Sequence, residues 1–120
     1  MQVLNELKPG LDEKLYERAI IIELKRGGHD IAVQRLNPVI FRGESIGSLV
    51  PNLIVDDAVI VDLKVVACFT ETQVDQMIGY LNITHLNLTL LINFKNARLE
   101  WKRILHPQEN EEGTKPDLRA

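Results

Sequence analysis

Apolar residues in this chain recur with two different periods, and the switches between them divide it into elements. From Leu11 to Arg26 the spacing is helical. Leu11, Leu15, Ala19 and Ile22 share one side, Asp12 and Glu13 lie in a first turn where the helix dipole favours acids, and Gly27-Gly28 is a stop. Asp30 to Phe41 then reads as a strand and Arg42-Gly43-Glu44 as a turn. Ser45 to Val55 reads as a second strand in which Gly47 and Pro51 mark a bulge or an irregular start. A tight turn at Asp56-Asp57-Ala58 sets Leu53-Ile54-Val55 against Val59-Ile60-Val61, so a third strand covers Ala58 to Ala67. Thr70 is placed to cap a second helix running to Ile83, with Glu71 in its first turn and Val74, Met77, Ile78 and Leu81 as its buried stripe. Asn87 to Phe94 has the apolar run of a buried strand, and Arg98 to Leu105 reads as an edge strand. The order α-β-β-β-α-β-β predicts an α/β sandwich, a central mixed sheet flanked by helices. Residues 1–106 are expected to form one domain and the polar stretch 107–120, which lacks periodicity, a mobile tail.

Composition excludes classes without choosing a function. A chain of 120 residues has room for one core and not two. No apolar run approaches the roughly 18–20 residues that cross a bilayer. The stretch from Met1 to Glu6 lacks the basic and apolar regions of a signal peptide. Cys68 is the single cysteine, so no internal disulfide can form and a cytoplasmic location is expected; beside Phe69, the thiol is expected to be buried. The formal charge is −3, but Glu109, Glu111, Glu112 and Asp117 against Lys115 and Arg119 account for part of it. Of 14 bases and 17 acids, 12 and 13 precede Pro107, so net charge neither supports nor excludes a nucleic-acid partner. With 45% apolar residues in so small a domain, Leu88 to Phe94 and Trp101 are expected to leave an apolar patch, and a homodimer is a natural partner state.

Chemistry-bearing residues concentrate between Pro51 and Lys64. Side chains alternate along a strand, so Asp62 and Lys64 emerge on one face and Leu63 on the other, both polar groups expected to be partly solvent-facing. A carboxylate and an ammonium on an otherwise apolar strand are either a partner pair at a sheet's end or half of a metal-dependent phosphodiester-cutting site. The second reading wants another carboxylate on the neighbouring strand, and Asn52 stands there. Asp56 and Asp57 lie too close to the turn to replace it. On the first helix Glu13 and Tyr16 share a face; alone, they read equally as a solvated acid and a half-buried tyrosine. Gln76 and Tyr80, one turn apart on the second helix, either bind a phosphate, a water or a base edge or satisfy each other at a surface. Lys95, Arg98, Lys102 and Arg103 form a basic cluster around the last strand, a solvated face unless it flanks a groove. His29, His85 and His106 lack metal-ligand spacing and are expected in loops or at the surface.

Taken together, the chain resembles the PD-(D/E)XK nuclease superfamily and, within it, the small bacterial GxxExxY proteins. The resemblance rests on Gly10-Leu11-Asp12-Glu13-Lys14-Leu15-Tyr16, on Pro51-Asn52 with Asp62-Leu63-Lys64, on Gln76 through Tyr80, and on Leu90-Leu91-Ile92-Asn93-Phe94. It covers Val3 to Leu105, and the family usually has more helix before the segment at Val3. It implies a restriction-endonuclease-like fold, a Mg²⁺ or Mn²⁺ cofactor and a nucleic-acid substrate. Asp62, Asn52, Glu13 and the carbonyl of Leu63 would surround the metal, with Asp62, Lys64 and Glu13 catalytic and Gln76 and Tyr80 orienting the substrate. Two departures stand out: Asn52 replaces the Asp of the pattern, and Asp62 replaces the commoner Glu, which the motif permits. An amide oxygen can ligate a hard cation but brings no charge, so metal affinity is expected to fall. Two readings therefore stay open, a metal-dependent nuclease and a non-catalytic module that keeps the fold to bind nucleic acid or protein.

Overall fold

The computed structural model describes residues 6–96 and 99–106. Strands β1 (Ile31–Val33), β4 (Leu53–Val55), β5 (Val59–Lys64), β6 (Leu88–Asn93) and β7 (Glu100–Leu105) form one sheet in the order β1-β4-β5-β6-β7. Strands β2 (Asn37–Phe41) and β3 (Glu44–Leu49) pair only with each other. Helix α1 (Glu13–Arg26) packs on one face of the sheet and α2 (Glu71–Thr84) on the other. The sheet is mixed, as expected: β5 and β6 run parallel because α2 is the crossover between them, and every other pair is antiparallel.

Strict alternation builds the two half-cores. Leu53, Val55, Val61, Leu63 and Ile92 face α1, where they meet Tyr16, Ile20 and Phe94. Ile54, Ile60, Leu91 and Ile104 face α2, where they meet Met77, Tyr80 and Leu81. Each fully buried large side chain contributes about 1.5–3 kcal/mol. The rings of Tyr16 and Phe94 stack with centroids 4.6 Å apart and planes 10° from parallel.

Five strands stand between the helices where the apolar pattern predicts three. Gln34 adopts a φ of +50°, which ends β1, and Pro51 has no N–H to donate, which separates β3 from β4. Each long apolar stretch is thus cut in two: β1 and β4 stay in the sheet while β2 and β3 leave it as a ribbon. The buried side of α1 also differs from the expected one, since Leu15 and Ile22 are exposed whereas Tyr16 and Ile20 are core. The expected stripe of α2 holds, with Met77 and Leu81 fully buried and Val74 and Ile78 packed against them. Thr70 closes a full capping box with Gln73, and His85 ends α2 in the left-handed region.

Cys68 is exposed, not buried, because it lies in the bend that leaves β5 and not in the strand. Alternation also divides the basic residues of β7. Lys102 lines a cleft with Thr70, Glu71 and Asp75, whereas Arg103 lines an open apolar groove of about 480 Å³ with Leu88, Leu90, Ile92, Leu99 and Trp101. The apolar surface expected near Trp101 is this groove. Arg98 and the stretch 107–120 lie outside the described residues. Among the described residues, no helix is long and apolar enough to cross a membrane.

Candidate functional site

The β4–β5 hairpin has a structural end and a chemical end. At the turn, Asp56 and Asp57 take φ values of +55° and +57°, a region aspartate tolerates better than most side chains. Asp56 accepts a hydrogen bond from the backbone of Asp30 at 2.9 Å and pairs with His29 at 2.7 Å, and Asp57 pairs with Arg35 at 3.2 Å. Those bonds hold the Asp56 carboxyl below its usual range, the His29 contact first. These acids fix the turn and do not reach the other end.

At that other end β4 stops opposite Val61, so Asp62, Leu63 and Lys64 run past it and face Asn52. The Asn52 backbone N–H points at Asp62 Oδ1 from 3.4 Å, and Asn52 Oδ1 accepts from the Leu63 N–H at 3.1 Å. The Asn52 carbonyl accepts from Gln34 N–H at 2.9 Å. Lys64 Nζ lies 3.3 Å from Asp62 Oδ2. Asp62 is only 3% exposed, against the expectation of a partly solvent-facing group; Lys64 is the more open of the two. Leu63 is fully buried among the α1-side core, so only its backbone is available to the site.

Lys64 is held by its own backbone. Its carbonyl accepts from Phe94 N–H at 2.9 Å, and the chain beyond it is bracketed by Asn93. That buried amide accepts from Val66 N–H and Lys95 N–H, both at 3.1 Å, and donates to the Val66 carbonyl at 2.8 Å and to Glu100 at 3.0 Å. The Asn93 of the apolar strand is therefore a clamp on the strand that carries the acid and the base.

From α1, Glu13 reaches the same place. Gly10 takes a φ of +112°, open to glycine and strained for other residues, and the returning chain lets Tyr16 Oη donate to the Lys8 carbonyl at 2.6 Å and accept from Leu11 N–H at 3.2 Å. Tyr16 is thus fully buried, not half-buried, and its role is to fix the approach to the helix that bears Glu13. Burial raises the Glu13 carboxyl above its usual range. Lys64 opposes that rise, and Asp62 and Glu17 add to it. Asp62 is likewise raised, by burial first, against the pull of Lys64 and the Asn52 N–H. On α2, Gln76 Nε2 donates to Tyr80 Oη at 3.3 Å, and the phenol is raised by burial and by the charge of Asp62. The structure therefore draws Glu13, Asn52, Asp62, Lys64 and Tyr80 into one electrostatic neighbourhood, with Gln76 tied to it through Tyr80.

Glu17 belongs to the same neighbourhood, and the sequence reading passed over it. It is 2% exposed, its Oε1 lies 2.8 Å from Lys14 Nζ, and its Oε2 is buried with no partner. An unsatisfied buried acceptor costs about 1–3 kcal/mol. One signal was available: Glu13 and Glu17 are like charges at i, i+4, a destabilising spacing unless something cationic sits nearby.

Among the described residues, no three histidine, cysteine or acidic side chains close around one point as a ready metal cage. The donors are nevertheless of the right kind. Asp62, Asn52 and Glu13 offer oxygen alone, which suits a hard cation that keeps several waters.

Comparison with known proteins identifies the family and the fold. A family model described as the PD-(D/E)XK nuclease superfamily matches residues 1–104. The crystal structure of SSO0001 is similar at a TM-score of 0.60 and 12% identity, over 78% of this chain and 50% of that one. An alkaline exonuclease from Laribacter hongkongensis, LHK-Exo, is similar at a TM-score of 0.54 and 14% identity, over 78% of this chain and 55% of that one. The chain thus spans about half the length of these two structures. No curated protein matches.

Proposed function

The chain belongs to the PD-(D/E)XK nuclease superfamily, and from that premise we propose that it hydrolyses phosphodiester bonds of nucleic acid with Mg²⁺ or Mn²⁺. The observation that carries the reading is the buried Asp62 carboxylate with the more open Lys64 ammonium 3.3 Å away, at the end of the sheet where Asn52 and Glu13 converge. Asp62, the Asn52 amide oxygen, Glu13 and the Leu63 carbonyl are the groups that would hold the cation. When bound, such a cation would supply a water that is nucleophilic near neutral pH and would offset charge at phosphorus. Lys64, fixed by the Asn93 clamp, orients the attacking water and faces the developing negative charge. Gln76 and Tyr80 donate to phosphate oxygens of the substrate, and Tyr80 stays protonated for that task because burial and Asp62 raise it.

Asn52 is the weak point and therefore the test. Asn52→Asp keeps the shape and the acceptor that holds Leu63 N–H, and adds a charge beside Asp62. It is expected to tighten Mn²⁺ binding, raise the cleavage rate and lower the stability of the metal-free protein. Wild type and variant, incubated with single- and double-stranded DNA and RNA with and without Mn²⁺, give the answer. Silence from both on every substrate, with no calorimetric metal signal, would leave a binding module that only keeps the fold.

Proton competition gives a second check. Because burial raises both Asp62 and Glu13, protons contend with the cation above the ordinary carboxylate range. Mn²⁺ affinity is expected to climb as pH rises through and just above the ordinary carboxylate range and then level off. An affinity that is flat across that interval would remove these two carboxylates from the site.

A further inference from the structure

Helix α1 brings a second acid to the site that neither the motif nor the ion-pair pattern accounts for. Glu17 follows Tyr16, lies 2% exposed in the packed interior, and has one oxygen on Lys14 at 2.8 Å and the other with no partner. Its neighbours Tyr16 and Ile20 are core residues that need no carboxylate. Glu17 lies one helical turn beyond Glu13 on α1, so the two acids share one side of the helix. Lys14 is half exposed and answers one of the two oxygens. An arrangement of this kind is balanced when a cation joins it. Among the described residues no three acidic side chains close around one point, so Glu13, Asp62 and Glu17 are not all ligands of one ion, and Glu17 takes the outer place.

Resting on the reading of this end of the sheet as a divalent-cation site, we infer that Glu17 is a positioning acid of that site: its Oε2 accepts a hydrogen bond from a cation-bound water and supplies the negative charge that Asn52 lacks. Groups that orient a ligand from outside the coordination sphere change metal affinity by about 10–100-fold. Lys14 then has a definable role, partly neutralising Glu17 while the site is empty.

Calorimetric titration with Mn²⁺ alone, on wild type, Asp62→Asn, Glu17→Gln and Lys14→Met, tests this, with the melting temperature of each protein recorded in chelator. Glu17→Gln is expected to weaken Mn²⁺ binding about 10–100-fold while melting at or above wild type without metal, because the amide keeps the shape and sheds a buried charge. Lys14→Met is expected to bind Mn²⁺ more tightly and to melt lower without metal. If Glu17 only anchors Lys14, both variants melt lower and bind Mn²⁺ as wild type does, and the inference falls while the cation site stands. If wild type binds no Mn²⁺, or Asp62→Asn binds it equally well, the cation site itself falls and the inference with it.

Discussion

Asp62→Asn is expected to stabilise the metal-free protein and to reduce cleavage by about 10²–10³-fold, because it removes the principal negative charge facing the metal. The two effects share one cause. Burial sets the folded pKa of Asp62 above its unfolded value, outweighing Lys64 and the Asn52 N–H. Between the unfolded and folded pKa values the folded state therefore keeps a proton that the unfolded chain has released. The stability this contributes is complete below the unfolded pKa and is lost as pH rises to the folded one. An asparagine pays no such penalty, and the gain at neutral pH should be about 1 kcal/mol, as is common where a functional group is removed. Urea unfolding in chelator should show the gap between variant and wild type opening as pH rises through that window. A wild type that is the more stable at neutral pH would mean that the Lys64 pair outweighs burial.

Phe94→Ala should be the most destabilising single change, at about 3–5 kcal/mol, the usual cost of emptying an aromatic site in a core. Phe94 is fully buried and stacks on Tyr16 with centroids 4.6 Å apart. Its backbone N–H also holds the Lys64 carbonyl. For a domain of this size the melting temperature should drop by roughly 4 °C per kcal/mol. Activity at low temperature, where the variant remains folded, should also fall, because α1 loses the ring that seats Tyr16 and with it the position of Glu13. A fully folded variant with unchanged Mn²⁺ affinity would show that α1 is held by other contacts.

Legibility followed how local the cause was. The β4–β5 hairpin could be read because two aspartates in a left-handed turn and two apolar triplets lie within a few residues of each other. The second helix could be read because Thr70 and Gln73 form its cap without help from the rest of the fold. The buried side of α1 could not, because apolar residues lie on more than one side: Leu15 and Ile22 compete with Tyr16 and Ile20, and Phe94, far away in sequence, decides. Glu17 was hidden for the same reason. A glutamate on an amphipathic helix reads as solvated until the packing of the chain shows it buried. The break between β1 and β2 was hidden because Gln34 is not a residue that announces a positive φ.

The ribbon of β2 and β3 leaves the sheet after Val33 and returns at Leu53, and the Gln34 N–H to Asn52 carbonyl bond of 2.9 Å ties its exit to its entry. Its tip is exposed, with Ile40, Phe41 and Ile46 open to solvent and Arg42 over the Phe41 ring at 5.2 Å. A hairpin knotted at its base transmits little of its length to what lies below the knot, and closing a longer loop adds only about 0.6 kcal/mol per doubling. The Phe41 to Glu44 tip is therefore expected to accept exchange or extension without moving Asn52. The tip of this arm and the chemistry at the sheet's end can therefore be altered separately, one without disturbing the other.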